Sequence, residues 1–152
     1  MNELKQRLRA DLNSAMRARD QVRLRTLRMA LASITNEEVA GAAARELSDD
    51  EVVKVLTREA KKRREAAEAF AAAGRAEQAA AERAEGEVLA DYLPRQLTDE
   101  EVSQVVAAAI AETGAAGMPA MGKVMKVVTP QVAGRAEGSR VAAEVRRQLA
   151  AG

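Results

Sequence analysis

The sequence predicts an all-α protein: an N-terminal helical domain with a long helical hairpin, followed by a small three-helix C-terminal domain. Three observations carry this. Apolar residues recur every third or fourth position along nearly the whole chain, the spacing of one face of a helix. Helix-start signals in which Ser or Thr precedes Glu by three residues stand at Ser48–Glu51 and Thr98–Glu101. Helix-stop residues punctuate the stripes at Gly74, Pro94 and Gly114.

Taken in order, Leu4, Leu8, Leu12 and Met16 step by four, and Leu24, Leu27, Leu31 and Ile34 by three and four, predicting one or two amphipathic helices with a break near Gly41. Arg7, Arg9, Arg17, Arg19, Arg23, Arg25 and Arg28 fall mostly between the apolar positions and give this segment a basic outer surface. At Ser48-Asp49-Asp50-Glu51 a capping box opens the next helix, whose stripe of Val52, Leu56, Ala60, Arg63, Ala67 and Phe70 runs to Gly74. Residues 49–73 would extend about 37 Å at ~1.5 Å per residue, long enough for a projecting arm. A second, alanine-rich helix from Ala76 to Leu93 stops at Pro94 and pairs antiparallel with the first. Pro94-Arg95-Gln96-Leu97 reads as a linker, so the expected domains are 1–94 and 98–152. In the second, Val102, Val105, Val106, Ala109 and Ile110 mark one helix ending near Gly114. Pro119 and Pro130 bracket a short one with Val124, Val127 and Val128, and Val141, Val145 and Leu149 mark the last.

Composition narrows the chemistry. The 152 residues include no Cys, no His and no Trp, with one Tyr and one Phe. Disulfides, thiolate nucleophiles, imidazole bases and Cys/His zinc sites are therefore excluded, and only carboxylates, amines and hydroxyls are left for catalysis. No cofactor, no metal and no catalytic residue is expected. No apolar run approaches the ~20 residues that cross a bilayer, so no membrane partner is expected. The basic first helix resembles a transit peptide, but Glu3, Asp11 and Asp20 interrupt it and it is read as mature structure. A cysteine-free chain of this kind is expected in the cytoplasm.

The net charge of +1 conceals an uneven distribution. Residues 1–30 hold eight basic and three acidic side chains, residues 31–101 ten and seventeen, and residues 102–152 six and three. Both ends are basic and the middle is acidic.

Four segments in order, Leu27-Arg28-Met29, Tyr92-Leu93-Pro94-Arg95-Gln96-Leu97, Met121-Gly122-Lys123-Val124-Met125-Lys126 and Gly134-Arg135-Ala136-Glu137-Gly138, together with Lys61-Lys62-Arg63-Arg64, resemble the GatB/YqeY family over nearly the whole chain. The resemblance implies a two-part helical protein whose C-terminal unit is similar to the tail of the B subunit of the glutamine-dependent aminoacyl-tRNA amidotransferase. That tail binds tRNA, while ammonia generation and transamidation belong to other domains. A label of carbon–nitrogen ligase with glutamine as amido donor would thus attach by association. Glu137 stands where the family loop usually has Asp, which keeps the charge but loses a short side chain suited to capping.

Candidate RNA-binding residues follow in the second domain. Lys123 and Lys126 lie one helical turn apart and can meet adjacent phosphates, with Gly122 beside them allowing close packing or close ligand approach. Gly134 and Gly138 either relieve strain in a turn or admit a phosphate to the start of the last helix beside Arg135 and Arg140. Met121 and Met125 are expected as core filling. Lys61, Lys62, Arg63 and Arg64 cover a full helical turn and cannot share one face; Glu59, Glu65 and Glu68 lie at pairing distance in sequence. Asp49-Asp50-Glu51 and Asp99-Glu100-Glu101 occupy first helical turns, where acids serve capping and the helix dipole.

Three functional classes are open at this point. The first is a module for tRNA or other structured RNA, since Phe70 and Tyr92 are too few to stack single-stranded bases. The second is an accessory factor that docks on a protein of the translation machinery through the hairpin arm or the Leu4–Met16 stripe; its marker would be an exposed apolar seam. The third is a ligase, recognised by glutamine-dependent amide transfer, which is not expected of this chain alone.

Overall fold

Every regular element in the computed structural model, which describes residues 2–152, is helical. The chain forms two compact units that meet at the Leu93–Pro94 bond.

In the first unit the basic segment resolves into two helices, α1 (Glu3–Ala18) and α2 (Gln21–Glu38). Asn2 caps α1 by accepting from the Lys5 N–H at 2.9 Å. The chain reverses at Arg19, the one non-glycine residue with positive φ (57°) among the described residues, where the Arg19 and Asp20 N–H groups return to the Met16 and Ala15 carbonyls. Asp20 then caps α2 through the Arg23 N–H. After a loop comes α3 (Asp49–Ala72), opened by the expected Ser48–Glu51 capping box.

Gly74, at φ 75°, ends α3 as predicted: the Arg75 N–H reaches the Phe70 carbonyl at 2.8 Å and the Gly74 N–H the Ala71 carbonyl at 3.1 Å. The returning helix, α4 (Ala76–Ala90), is shorter than the predicted Ala76–Leu93. Its exit tightens into a turn in which the Asp91, Tyr92 and Leu93 N–H groups bond three residues back, because Pro94 disfavours helical geometry at Leu93.

Leu8, Leu27, Ile34, Leu47, Val52, Leu56 and Leu89 form the first core, with Leu4 and Leu12 packed against it. Burying each such Leu or Ile contributes about 1.5–3 kcal/mol. The base of the α3–α4 hairpin belongs to this core. Nearer the turn the two helices meet through the buried Ala67 and Ala79, side chains that release little apolar surface.

The second unit contains α5 (Asp99–Thr113), a single 3-10 turn (Met118–Ala120), α6 (Met121–Val132) and α7 (Gly138–Ala151). Valines dominate its core: Val102, Val106, Val124, Val128, Val132, Val141 and Val145, with Leu97, Ala109 and Leu149. Two expectations need correction. Pro130 lies inside α6 and does not end it, because Val128 and Val132, one turn apart, are both held in the core across it. Residues 94–97 are not a free linker. Leu97 is buried, its N–H donates to the Arg135 carbonyl at 2.8 Å, and the Gln96 side chain donates to the Gly134 carbonyl at 3.0 Å.

With its start at Pro94 the second unit holds seven basic and six acidic side chains, a net of +1. The excess read over 102–152 is thus nearly cancelled by Asp99, Glu100 and Glu101. Among the described residues no single helix is long and apolar enough to cross a membrane.

Candidate nucleic-acid interface

The seven predicted site residues do not form one surface. Lys123 extends from α6 to the end of α5, where its ammonium donates to the Thr113 carbonyl at 3.1 Å. Arg135 and Arg140 sit at the other end of α5: Arg135 Nε donates to the Arg95 carbonyl at 3.2 Å, and Arg140 donates to the Leu97 carbonyl. Fifteen residues of α5 separate those ends, about 20 Å at ~1.5 Å per residue.

The two arginines are also engaged internally. Arg140 Nε lies 3.0 Å from Asp99 Oδ1, close enough for an ion pair though not aligned for a hydrogen bond. Glu137 occupies the N-cap of α7 without bonding the helix amides through its side chain. A carboxylate at that point opposes the approach of a phosphate, so the start of α7 is a poor anion cradle.

Lys126, by contrast, is exposed and has no hydrogen-bond or ion-pair partner among the described residues. The two readings of Gly122 can now be separated, because a Cβ built there meets no atom within 4 Å. No packing within the chain requires a glycine at this place in α6. Gly138 is equally open, whereas Gly134, at φ 75°, is demanded by its turn. What stays together is a strip of α6 with Gly122, Lys123 and Lys126.

The other charged clusters are structural. Glu59, only 7% exposed, lies 3.4 Å from Lys62 and 3.3 Å from Arg63 in ion pairs and accepts from the Ser33 hydroxyl at 2.9 Å. Arg63 also meets Glu85 of α4 at 3.4 Å, and Lys61 pairs with Glu65. Arg63 thus bridges the two helices of the hairpin, whereas Lys61 and Lys62 pair within α3. Glu51 and Glu101 each close a capping box, and each carboxyl is held down to about 2, first by the hydrogen bond from Arg45 or Arg95 and next by the backbone amide of Ser48 or Thr98. Among the described residues no group of three or more acidic side chains is arranged to hold a metal ion.

Tyr92 offers no stacking platform. It is buried, its hydroxyl donates to Asp11, and the Arg7 guanidinium lies 4.5 Å from its ring centre. Burial, followed by the Asp11 hydrogen bond, pushes its phenol above the usual range.

One polar knot escaped the sequence reading. Lys5 and Glu38 are both nearly buried, with the ammonium 2.7 and 2.9 Å from the two carboxylate oxygens. The Leu47 N–H donates to Glu38, and Asn2 donates to the Leu47 carbonyl. The Lys5 hydrogen bond, opposed by burial, holds the Glu38 carboxyl below its usual range. The signal was present, since Lys5 stands three residues before Leu8 on the apolar side of α1.

Fold and surface define a class: a two-unit helical protein with small valine- and leucine-rich cores, its charged side chains partly engaged in caps and ion pairs and otherwise left to solvent. The family model described as Yqey-like protein matches residues 5–149, and the chain belongs to that family. Its domain is related to the tail of the amidotransferase B subunit, as the sequence resemblance implied. No curated protein matches the chain.

Proposed function

We propose that this chain is a non-catalytic module that binds structured RNA, tRNA in the first place, by contacts to the phosphate backbone. The observation that carries the reading is the α6 strip, where Lys126 has no internal partner, Lys123 spends one of its three donors on Thr113, and Gly122 leaves the helix surface bare without a packing reason. Two ammonium groups one turn apart meet neighbouring phosphates, and the bare glycine lets the backbone of the nucleic acid come close. Tyr92 is unavailable for stacking, which favours recognition by shape and charge over single-strand readout.

Docking on a protein through the Leu4–Met16 stripe loses its marker. Leu8 is fully buried, Leu4 and Leu12 pack against the core, and of the stripe only Met16 is exposed. The chain itself is assigned no amide transfer, and the reading carries a cytoplasmic location, where folded tRNA is found.

The test is fluorescence anisotropy with unfractionated tRNA between 50 and 200 mM salt. Two phosphate contacts give a fall of roughly tenfold over that interval, and Lys123→Ala with Lys126→Ala removes that part of the salt dependence. Affinity that ignores salt, or a double variant with unchanged affinity and slope, overturns the proposed α6 contact. A companion assay for glutamine-dependent amide transfer by the purified chain is expected to show none.

A further inference from the structure

The first unit carries a second, larger group of uncommitted cations, on the face shared by α1 and α2. Successive helical residues turn by ~100°, so Arg9, Asn13, Met16 and Arg17 fall within about a 100° sector of α1. All four are exposed. Arg28 of α2 joins them, since its guanidinium lies 3.9 Å from the Met16 sulfur. Arg9, Arg17 and Arg28 have no carboxylate within ion-pair distance among the described residues.

The nearby acids are committed elsewhere. Asp11 accepts from Tyr92, Asp20 caps α2, Glu37 pairs with Arg58 and Glu38 with Lys5. Arg9 adds only a weak through-space pull on Glu38, whose two oxygens Lys5 already takes. The helix dipole gives a local reason for cations at the end of α1, where Arg17 and Arg19 stand. It gives none for Arg9 or Arg28, which lie in the middle of their helices.

We infer that this α1–α2 face is a contact surface for the phosphodiester backbone of a folded RNA. Charge complementarity calls for an anion, and the geometry calls for a repeated one: Arg9 and Arg17 are about 12 Å apart along the helix at ~1.5 Å per residue, too far to share a single phosphate or carboxylate. Arginine forks suit phosphate oxygens. A protein partner would find little to bury, because Met16 is the only large apolar side chain exposed here and no aromatic accompanies it. The inference rests on the RNA reading for the identity of the polyanion, and it is independent of the α6 lysines.

The experiment uses the full chain, unfractionated tRNA as probe and a polyglutamate peptide as the competing acidic polymer. Arg9→Gln/Arg17→Gln/Arg28→Gln is compared with Lys123→Ala/Lys126→Ala and with the wild type. The arginine triple is expected to weaken tRNA binding at least tenfold at 50 mM salt and to lower the slope of log affinity against log salt by about 3. The single Arg28→Gln, which leaves Tyr92 and every ion pair in place, lowers the slope by about 1 and serves if the triple fails to fold.

A wild type that binds tRNA with a salt slope that neither the triple nor Arg28→Gln changes sinks this surface and leaves the RNA reading standing. Loss with the arginine variants and none with the lysine pair supports this surface and overturns the α6 contact. No tRNA binding by the wild type overturns both, and tighter binding of polyglutamate than of tRNA hands the face to an acidic protein.

Discussion

Replacing Lys5 by Met leaves the Glu38 carboxylate nearly buried with the Leu47 N–H as its one remaining donor among the described residues. An exposed ion pair is worth ~0–1 kcal/mol, and breaking a fully buried one costs ~3–5 kcal/mol. Here each side chain is 11% exposed and Arg9 stands near enough to relieve part of the charge, so a loss of about 2–3 kcal/mol is expected, between those limits. Tyr92, the only tyrosine and a member of the first core, gives a signal specific to that unit in near-ultraviolet circular dichroism. With a urea slope of roughly 1 kcal/mol per molar, the midpoint should fall by about 2–3 M.

The double variant Lys5→Met/Glu38→Gln keeps an acceptor for Leu47 and removes the stranded charge, and it should recover to within about 1 kcal/mol of the wild type. The pH dependence has a definite sign. Because the Glu38 carboxyl is lowered on folding, the stabilisation is present above the unfolded value near 4.5 and is lost as pH falls through the lower folded value. Glu38→Gln abolishes that acid-side loss. The reasoning fails if Lys5→Met costs less than about 0.5 kcal/mol, or if the double variant is no more stable than the single one.

Three further outcomes follow from the second unit. Leu97→Ala should cost about 2 kcal/mol in chemical denaturation followed by far-ultraviolet circular dichroism; a neutral result would restore residues 94–97 as a linker. Gly134→Ala, at φ 75°, should destabilise by about 1 kcal/mol, whereas Gly122→Ala should be neutral or stabilising in the same assay while weakening tRNA binding. In an NMR titration the Glu101 carboxyl should titrate near 2 and move up in Arg95→Gln; its contribution to the α5 cap is therefore present above about 4.5 and disappears as pH falls toward 2.

Features written in local sequence were legible. Both capping boxes, the Gly74 stop and the valine stripes of α5, α6 and α7 appear where the spacing placed them, because each depends on residues within a turn or two of one another. The reversal between α1 and α2 was not, since an arginine takes the left-handed position where a glycine would have announced it; the eight-residue gap from Met16 to Leu24 was the available hint. Pro130 and Leu97 were misread for one reason, that tertiary burial overrode the local signal. The candidate site suffered most. Residue type identified Arg135 and Arg140 as cations, but their carbonyl and carboxylate partners come from residues 95–99, some 40 positions away. Nothing in one-dimensional spacing distinguishes an arginine with such a partner from Arg9 or Lys126.

That distinction bears on how the proposed RNA partner would be held. The first unit has seventeen basic and seventeen acidic side chains and the second seven and six, so neither has the net charge to draw a polyanion from a distance. Attraction must come from local contact by cations with no competing acid. On the two proposed faces these number five: Lys123, Lys126, Arg9, Arg17 and Arg28. Five contacts at ~0.9 each bound the salt slope at about 4.5 if both faces engage one RNA, and at about 2 or 3 if only one does. A measured slope near 8 would require more cations than these five. They are either exposed ones with no acid partner among the described residues, such as Arg19, Lys54 and Arg146, or those released if ion pairs such as Arg140–Asp99 or Arg25–Glu85 open on binding, and neutralising the acids tells the two apart. In the second case Asp99→Asn and Glu85→Gln would tighten binding by freeing those guanidinium groups, whereas with the pairs intact they should change the slope little.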